Sequence, residues 1–147
     1  MTTADRSERT IVVGIDGSAP ADAALEWALA AALAFQAEVV AVHAVGLLEG
    51  AHLAETGRPS DEMLVALRHE VGRSLETLER TPDVRVVFEP GSPGDALLRV
   101  ALNERADLIV VGRRGCGEPY QLDLGSTSRS VSARSAVPVV VVPGVAP

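Results

Sequence analysis

The segment ADLIVVGRRGCGEPYQLDLGSTS, from Ala106 to Ser128, decides the fold. Leu108 to Val111 is an unbroken apolar run, the pattern of a strand covered on both faces of a sheet. Gly112, Gly115, Gly117 and Gly125 then punctuate a loop, and Ser126, Thr127 and Ser128 open a helix. Glycines let a backbone turn sharply and approach a ligand with no Cβ in the way. A helix start offers N–H groups and a partial positive charge, which suits a phosphate. Hydroxyls on Ser126 and Ser128 add donors. Between Gly112 and Arg134, four arginines (Arg113, Arg114, Arg129, Arg134) stand against Glu118 and Asp123, a local balance of +2 in a chain of net charge −7. The locally positive segment is thus the one whose backbone is shaped for an anion.

Outward from this segment, five β-branched runs alternate with four helical patterns. The first strand reads Thr10 to Ile15 and ends in Asp16-Gly17-Ser18. Ser18 is a good N-cap, with Pro20 in the first turn, where a missing N–H is harmless. The helix from Ala19 to about Phe35 is apolar almost all round, which predicts burial on more than one side. Strand two is Glu38 to Val45. Gly46 to Pro59 shows little periodicity and reads as a long loop of the kind that is often functional. Helix two begins at a Ser60 N-cap and carries Leu64, Leu67, Val71, Leu75 and Leu78 as one apolar stripe. Strand three is Val84 to Phe88, and helix three runs from Pro93 to about Arg105 behind Ser92. Helix four spans Ser126 to Ser135 and strand five Val137 to Val142. Strand–helix alternation with unbroken apolar strands gives a parallel, doubly wound α/β sheet with helices on both faces.

The 147 residues fit one domain, with residues 1–9 as a polar tail. A charge of −7 disfavours nucleic acid or an anionic membrane as the main partner. One cysteine gives no disulfide framework and fits a reducing compartment. The N-terminus has no apolar signal core, and the longest apolar stretch, Trp27 to Phe35, is too short for a bilayer; the expectation is a cytoplasmic protein. All thirteen basic residues are Arg. Without Lys, a Walker-type phosphate loop and Schiff-base chemistry are both excluded. Ligands of open parallel sheets bind beyond the carboxyl ends of the strands, where the winding reverses. The two strand ends that stand out are Asp16-Gly17-Ser18 and the glycine-rich segment after Val111.

The arrangement Gly112-x2-Gly115-x9-Gly125-Ser126 resembles the ATP-binding pattern of the universal stress protein family. The resemblance extends over VVGIDGS at the start, VVAVHAV on strand two, ADLIVVGRRG on strand four, and GSTSRSV and PVVVVP at the end. It implies a five-stranded sheet in the order 3-2-1-4-5, of the adenine nucleotide α-hydrolase-like type. Carried over residue by residue, Gly112, Arg114 and Gly115 lie along the ribose and phosphates. Gly125, Ser126 and Thr127 hold the phosphate chain. Gly14, Ile15 and Asp16 border adenine and ribose, and Ala44 presents backbone to the base edge. Asp16 has a second open role, helping to hold Mg²⁺, and no metal ligand is assigned. The implied cofactors are ATP and Mg²⁺. The implied partners are a second copy, paired through Val139 to Val142, and a protein not identified by the sequence.

Three departures stand out: Thr127 replaces the more usual Val, Glu118 and Asp123 put carboxylates between the second and third glycines, and Pro119-Tyr120-Gln121 is unusual. The carboxylates favour AMP over ATP, or call for a metal, if they face the phosphates. Asp16 reads as a ligand contact or as a plain turn residue before Gly17. His43 reads as a packed core histidine, His52 and His69 as exposed, and Cys116 as a thiol beside Arg114. No nucleophile elbow or catalytic set is visible, so no catalytic residue is assigned. The reading is a regulatory nucleotide-binding protein with at most slow hydrolysis. The alternatives are an interaction module whose site is vestigial or prefers AMP or cyclic AMP, and a nucleotide hydrolase.

Overall fold

A computed structural model describes residues 9–113 and 124–144. The chain runs β1 (Arg9–Gly14), α1 (Ala19–Phe35), β2 (Ala37–Val45), α2 (Leu47–Thr56), α3 (Asp61–Glu76), β3 (Val84–Pro90), α4 (Pro93–Asn103), β4 (Leu108–Gly112), α5 (Ser126–Arg134) and β5 (Val139–Val142). All strand pairings are parallel, in the order β3-β2-β1-β4-β5. The expected α/β architecture and strand order are both present. Arg114, Gly115, Cys116, Glu118, Pro119-Tyr120-Gln121 and Asp123 lie outside the described residues.

Alternation along each strand divides the interior into two layers. Ile11, Val13, Val39, Ala41 and Val110 face one layer with α1 and α3. Val12, Val40, Val42, Ile109 and Val111 face the other with α4 and α5. The division follows from winding. The chain moves outward from β1 to β2 to β3, then jumps back across the sheet to β4. Right-handed crossovers in opposite directions put their helices on opposite faces. The reversal leaves β1 and β4 as neighbours, in register from Ile11↔Leu108 to Val13↔Val110.

Three helices begin where a serine places them. Ser18, Ser60 and Ser92 accept from the backbone N–H of Ala21, Met63 and Asp95, which satisfies donors the helix itself leaves open. Helix α1 buries Ala24, Leu25, Ala28 and Leu29 completely, yet Trp27 and Phe35 are 38% and 49% exposed. Its apolar outer face is therefore not covered all round: among the described residues α3 is the one helix packed on it, and the sheet takes the other side.

The stretch read as a loop from Gly46 to Pro59 is largely helix α2. None of its residues is fully buried, and Leu47 and Leu48 are almost wholly exposed. A periodicity reading finds a helix through its buried stripe, and this helix has none to show. Its stop signal was legible: Gly57 takes a left-handed φ of 72° and its N–H closes on Leu53 O. Glu49 accepts from Ser60 N–H at 2.8 Å, tying α2 to the start of α3.

Gly112 is the tightest point in the frame. A Cβ on it would lie 2.6 Å from the carbonyl oxygen of Pro20, in the first turn of α1. That neighbour is backbone and cannot rotate away. Gly112→Ala should destabilise the fold by about 2 kcal/mol, lowering Tm by roughly 4–8 °C. Gly72→Ala, at a helical position with nothing within 4 Å of its Cβ, should instead raise stability by about 0.5–1 kcal/mol. Urea unfolding of both variants tests the pair, and shifts of the same sign would contradict the packing argument.

Candidate functional site

Where β1 and β4 end side by side, the chain opens a cleft of about 590 Å³, counting the solvent at its mouth. That is the size of a small-molecule site. Gly14, Ile15 and Asp16 line it from the end of β1, and Val42 and Ala44 from β2. Pro93 and Leu97 of α4 close one side, and Val111 and Gly112 of β4 extend the floor. Gly125, Thr127 and Ser128 form the far wall at the start of α5.

Strand lengths create part of this space. Pairing between β1 and β2 stops at Gly14↔Val42, whereas β2 stays paired with β3 as far as Val45↔Pro90. Ala44 therefore sits on a stretch of β2 that β1 has left, with its β1-facing edge toward the cleft. The floor is apolar: Ile15, Val42, Leu97 and Val111 are all buried. It suits a flat, weakly polar ring.

The far wall has the opposite character. Helices α1, α3 and α4 each carry a serine cap and an acid in the first turn: Asp22, Asp61 with Glu62, and Asp95. Helix α5 has neither; its N-cap is Gly125, with no side-chain capping bond and no acid in its first turn. Even α2, which also opens on a glycine, has Glu49 there. Among the described residues, the positive end of α5 alone has neither a side-chain cap nor a first-turn acid, and it borders the cleft.

The sequence pattern that describes the universal stress protein family matches residues 8–143. The chain belongs to that family. It is 34% identical over 138 residues to a universal stress protein of Thermus aquaticus encoded in the 3′ region of a QAH/OAS sulfhydrylase gene, covering 91% of this chain and 98% of the relative. Among solved structures, it is similar to a universal stress protein in complex with cAMP, with a TM-score of 0.71, 27% identity, and 93% and 98% of the two chains covered. It is also similar to UspA from Lactobacillus plantarum, with a TM-score of 0.73, 25% identity, and 91% and 97% covered.

In this universal stress protein, backbone bonds gather the walls of the cleft. Arg113 N–H donates to Val142 O at 2.9 Å, and Gly125 N–H donates to Arg113 O at 2.8 Å. The ends of β4 and β5 and the start of α5 are thus held together. Arg134 of α5 donates to Asp95 of α4 at 2.6 Å, and that guanidinium holds the Asp95 carboxyl below its ordinary value. Gly94 lets α5 close in, since a Cβ there would lie 3.0 Å from Ser130 Oγ.

Of the residues the sequence nominated, Gly14, Ile15, Asp16, Ala44, Gly112, Gly125 and Thr127 all border one cleft. Ser126 is exposed and is not part of its lining, and Arg114 and Gly115 lie outside the described residues. The Asp16 carboxylate accepts from Ser18 N–H at 2.9 Å and from the Ser18 hydroxyl, so it organises the turn at Gly17 as well as bordering the cleft. His43 is half-buried. Its Nδ1–H donates to Ile15 O at 3.1 Å, and its ring meets Phe88 edge-on, as a packed histidine does. His52 and His69 are exposed.

Ser128 differs from its expected part. It is 1% exposed, and its one hydroxyl proton is shared between Arg113 O at 2.9 Å and Gly125 O at 3.1 Å. It braces the wall instead of offering a donor to a ligand. Val42, Pro93, Leu97 and Val111 were not foreseen as lining. Val42 had a faint signal, two residues before Ala44 and so on the same strand face. Pro93 and Leu97 reach the cleft only because α4 crosses back over the sheet.

Ser128→Ala should lower stability by about 1 kcal/mol. The loss is limited because both carbonyls keep a backbone donor, from Gly125 and Arg129. A chemical-denaturation midpoint unchanged from wild type would show that the hydroxyl braces nothing.

Proposed function

We propose that this chain is a regulatory nucleotide-binding protein of the ATP-binding subclass, taking ATP with Mg²⁺ in the cleft at the ends of β1 and β4. The observation that carries this reading is the uncapped, acid-free N-terminus of α5 facing a cleft whose floor is apolar. The adenine ring lies on Ile15, Val42, Leu97 and Val111, with the Ala44 backbone at its edge. Gly14 and Asp16 border the base and ribose. Gly125 N–H is held by Arg113 O, so the phosphates pass over the Gly125 Cα to meet N–H and hydroxyl groups at Ser126 and Thr127, and the motif extends this contact to Gly112, Arg114 and Gly115. Mg²⁺ offsets phosphate charge in a protein of net charge −7.

Binding without rapid turnover fits the lining. Its only ionisable side chain among the described residues is Asp16, which is tied to the Ser18 turn. A dimer through β5 follows from the same frame. Val139 to Val142 form an edge strand whose residues are only half-buried, a surface that pairing with a second copy would cover. We read the chain as one domain working in the cytoplasm.

A second reading, preference for a cyclic or monophosphate nucleotide, is favoured by the solved relative in complex with cAMP. Titration calorimetry separates the two. Wild type stripped of nucleotide should bind ATP saturably, more tightly with Mg²⁺. Gly125→Val should weaken that binding about tenfold or more while circular dichroism keeps the wild-type signature. Gly125 has a φ of −68°, so a side chain meets no backbone strain there. Tighter binding of AMP or cyclic AMP than of ATP selects the second reading. No heat with any of the three removes the nucleotide assignment.

A further inference from the structure

Behind the turn that carries Asp16, a second polar cluster lies outside the cleft. Glu70 of α3 is only 6% exposed. Its Oε1 accepts from Gly17 N–H at 3.3 Å, and Gly17 stands between Asp16 and the Ser18 cap at a φ of 79°. Beside Glu70 is Asp22, in the first turn of α1. Asp22 Oδ1 is buried with no hydrogen-bond partner among the described residues, while its other oxygen lies 3.8 Å from Arg73. A buried carboxylate oxygen without a donor is expensive. A proton on the neighbouring Glu70 carboxyl supplies the donor.

We propose that Glu70 is a positioning residue for the nucleotide cleft: in its protonated form it bridges the Gly17 N–H and the Asp22 carboxylate, holding the Asp16 turn in place, and its ionisation loosens that turn. The cluster joins α3, the start of α1 and the end of β1 at one point. The ligand part rests on the nucleotide reading above; the proton bridge itself does not.

The charged surroundings agree. Burial first, then the hydrogen bond and charge of Asp22, together raise the Glu70 carboxyl from 4.5 to about 7. Gly17 N–H pulls the other way, and the more distant Asp16 adds to the rise. Arg73, on α3 itself, answers the charge of Asp22. The folded state therefore holds a proton that the unfolded state releases. Its contribution to stability is greatest below pH 4.5, declines as pH rises toward about 7, and levels off above that.

Glu70→Gln tests this, because an amide donates to Asp22 and accepts from Gly17 at every pH. Between pH 5 and 8 the wild-type Tm should fall relative to that of Glu70→Gln. ATP affinity of the wild type should weaken about fivefold relative to the variant, and comparison of the two cancels the titration of the nucleotide. Parallel Tm curves would overturn the proton bridge. A Tm gap that opens while the affinity ratio stays constant would keep the bridge and overturn its role at the cleft. Absence of nucleotide binding in both proteins would overturn that role too, and the Tm curves would still report on the bridge. Should Glu70→Gln not fold, the Gly17 amide resonance of the wild type reads the same event. A midpoint near 7 supports the bridge, and a pH-independent resonance overturns it.

Discussion

Everything at the carboxyl end of the sheet depends on how closely β4 can run past the start of α1. Gly112 has no room for a Cβ, because the Pro20 carbonyl occupies that space. The contact lets α1 lie down over β1 and β4 together, and it brings the end of β4 level with the turn at Asp16. A parallel sheet that reverses its winding must leave a gap between the two crossover directions. Gly112 sets how that gap is bounded. Its glycine identity is accounted for by helix packing alone, although its position also places it on the cleft.

The cleft is a meeting of two environments that are costly to combine in one segment. Its apolar floor comes from strand positions and from α4, all buried as part of the core. Its polar wall comes from a helix terminus that, among the described residues, carries no capping side-chain bond and no acid in its first turn. Three other helix starts are neutralised by a serine and an acid, so the bare start of α5 is an exception within the same molecule. Local stability favours a serine cap over a glycine by only about a few tenths of a kcal/mol. A helix that forgoes it is better suited to an anion than to its own stability. Ser128 and the Arg113 carbonyl then hold that helix start against the strand end, so the wall is built on rigid elements.

Opposite this wall, the turn after β1 is supported from behind. Ser18 caps α1 and engages Asp16, Gly17 takes the left-handed bend, and Glu70 reaches in from another helix. The residues that border the cleft on this side therefore owe their positions to contacts with α1 and α3. A change in α3 can reach the cleft through a single hydrogen bond at Gly17.

From the sequence alone came the type of every described element but α2, the parallel sheet, and the two strand ends, after β1 and β4, where the cleft lies. Those properties are local: β-branched runs, serine caps and a glycine-rich stretch before a helix each act through neighbours a few residues away. Strand order came from the family resemblance, because periodicity does not distinguish one parallel neighbour from another. Helix α2 was missed because it buries no stripe. Tertiary structure alone decided that Pro93 and Leu97 line the cleft, that Ser128 spends its proton on backbone, and that Glu70 meets Asp22 and Gly17. Each of these joins residues tens of positions apart, or fixes one proton among competing acceptors. Such choices depend on where the sheet brings distant segments together, and no local pattern encodes them.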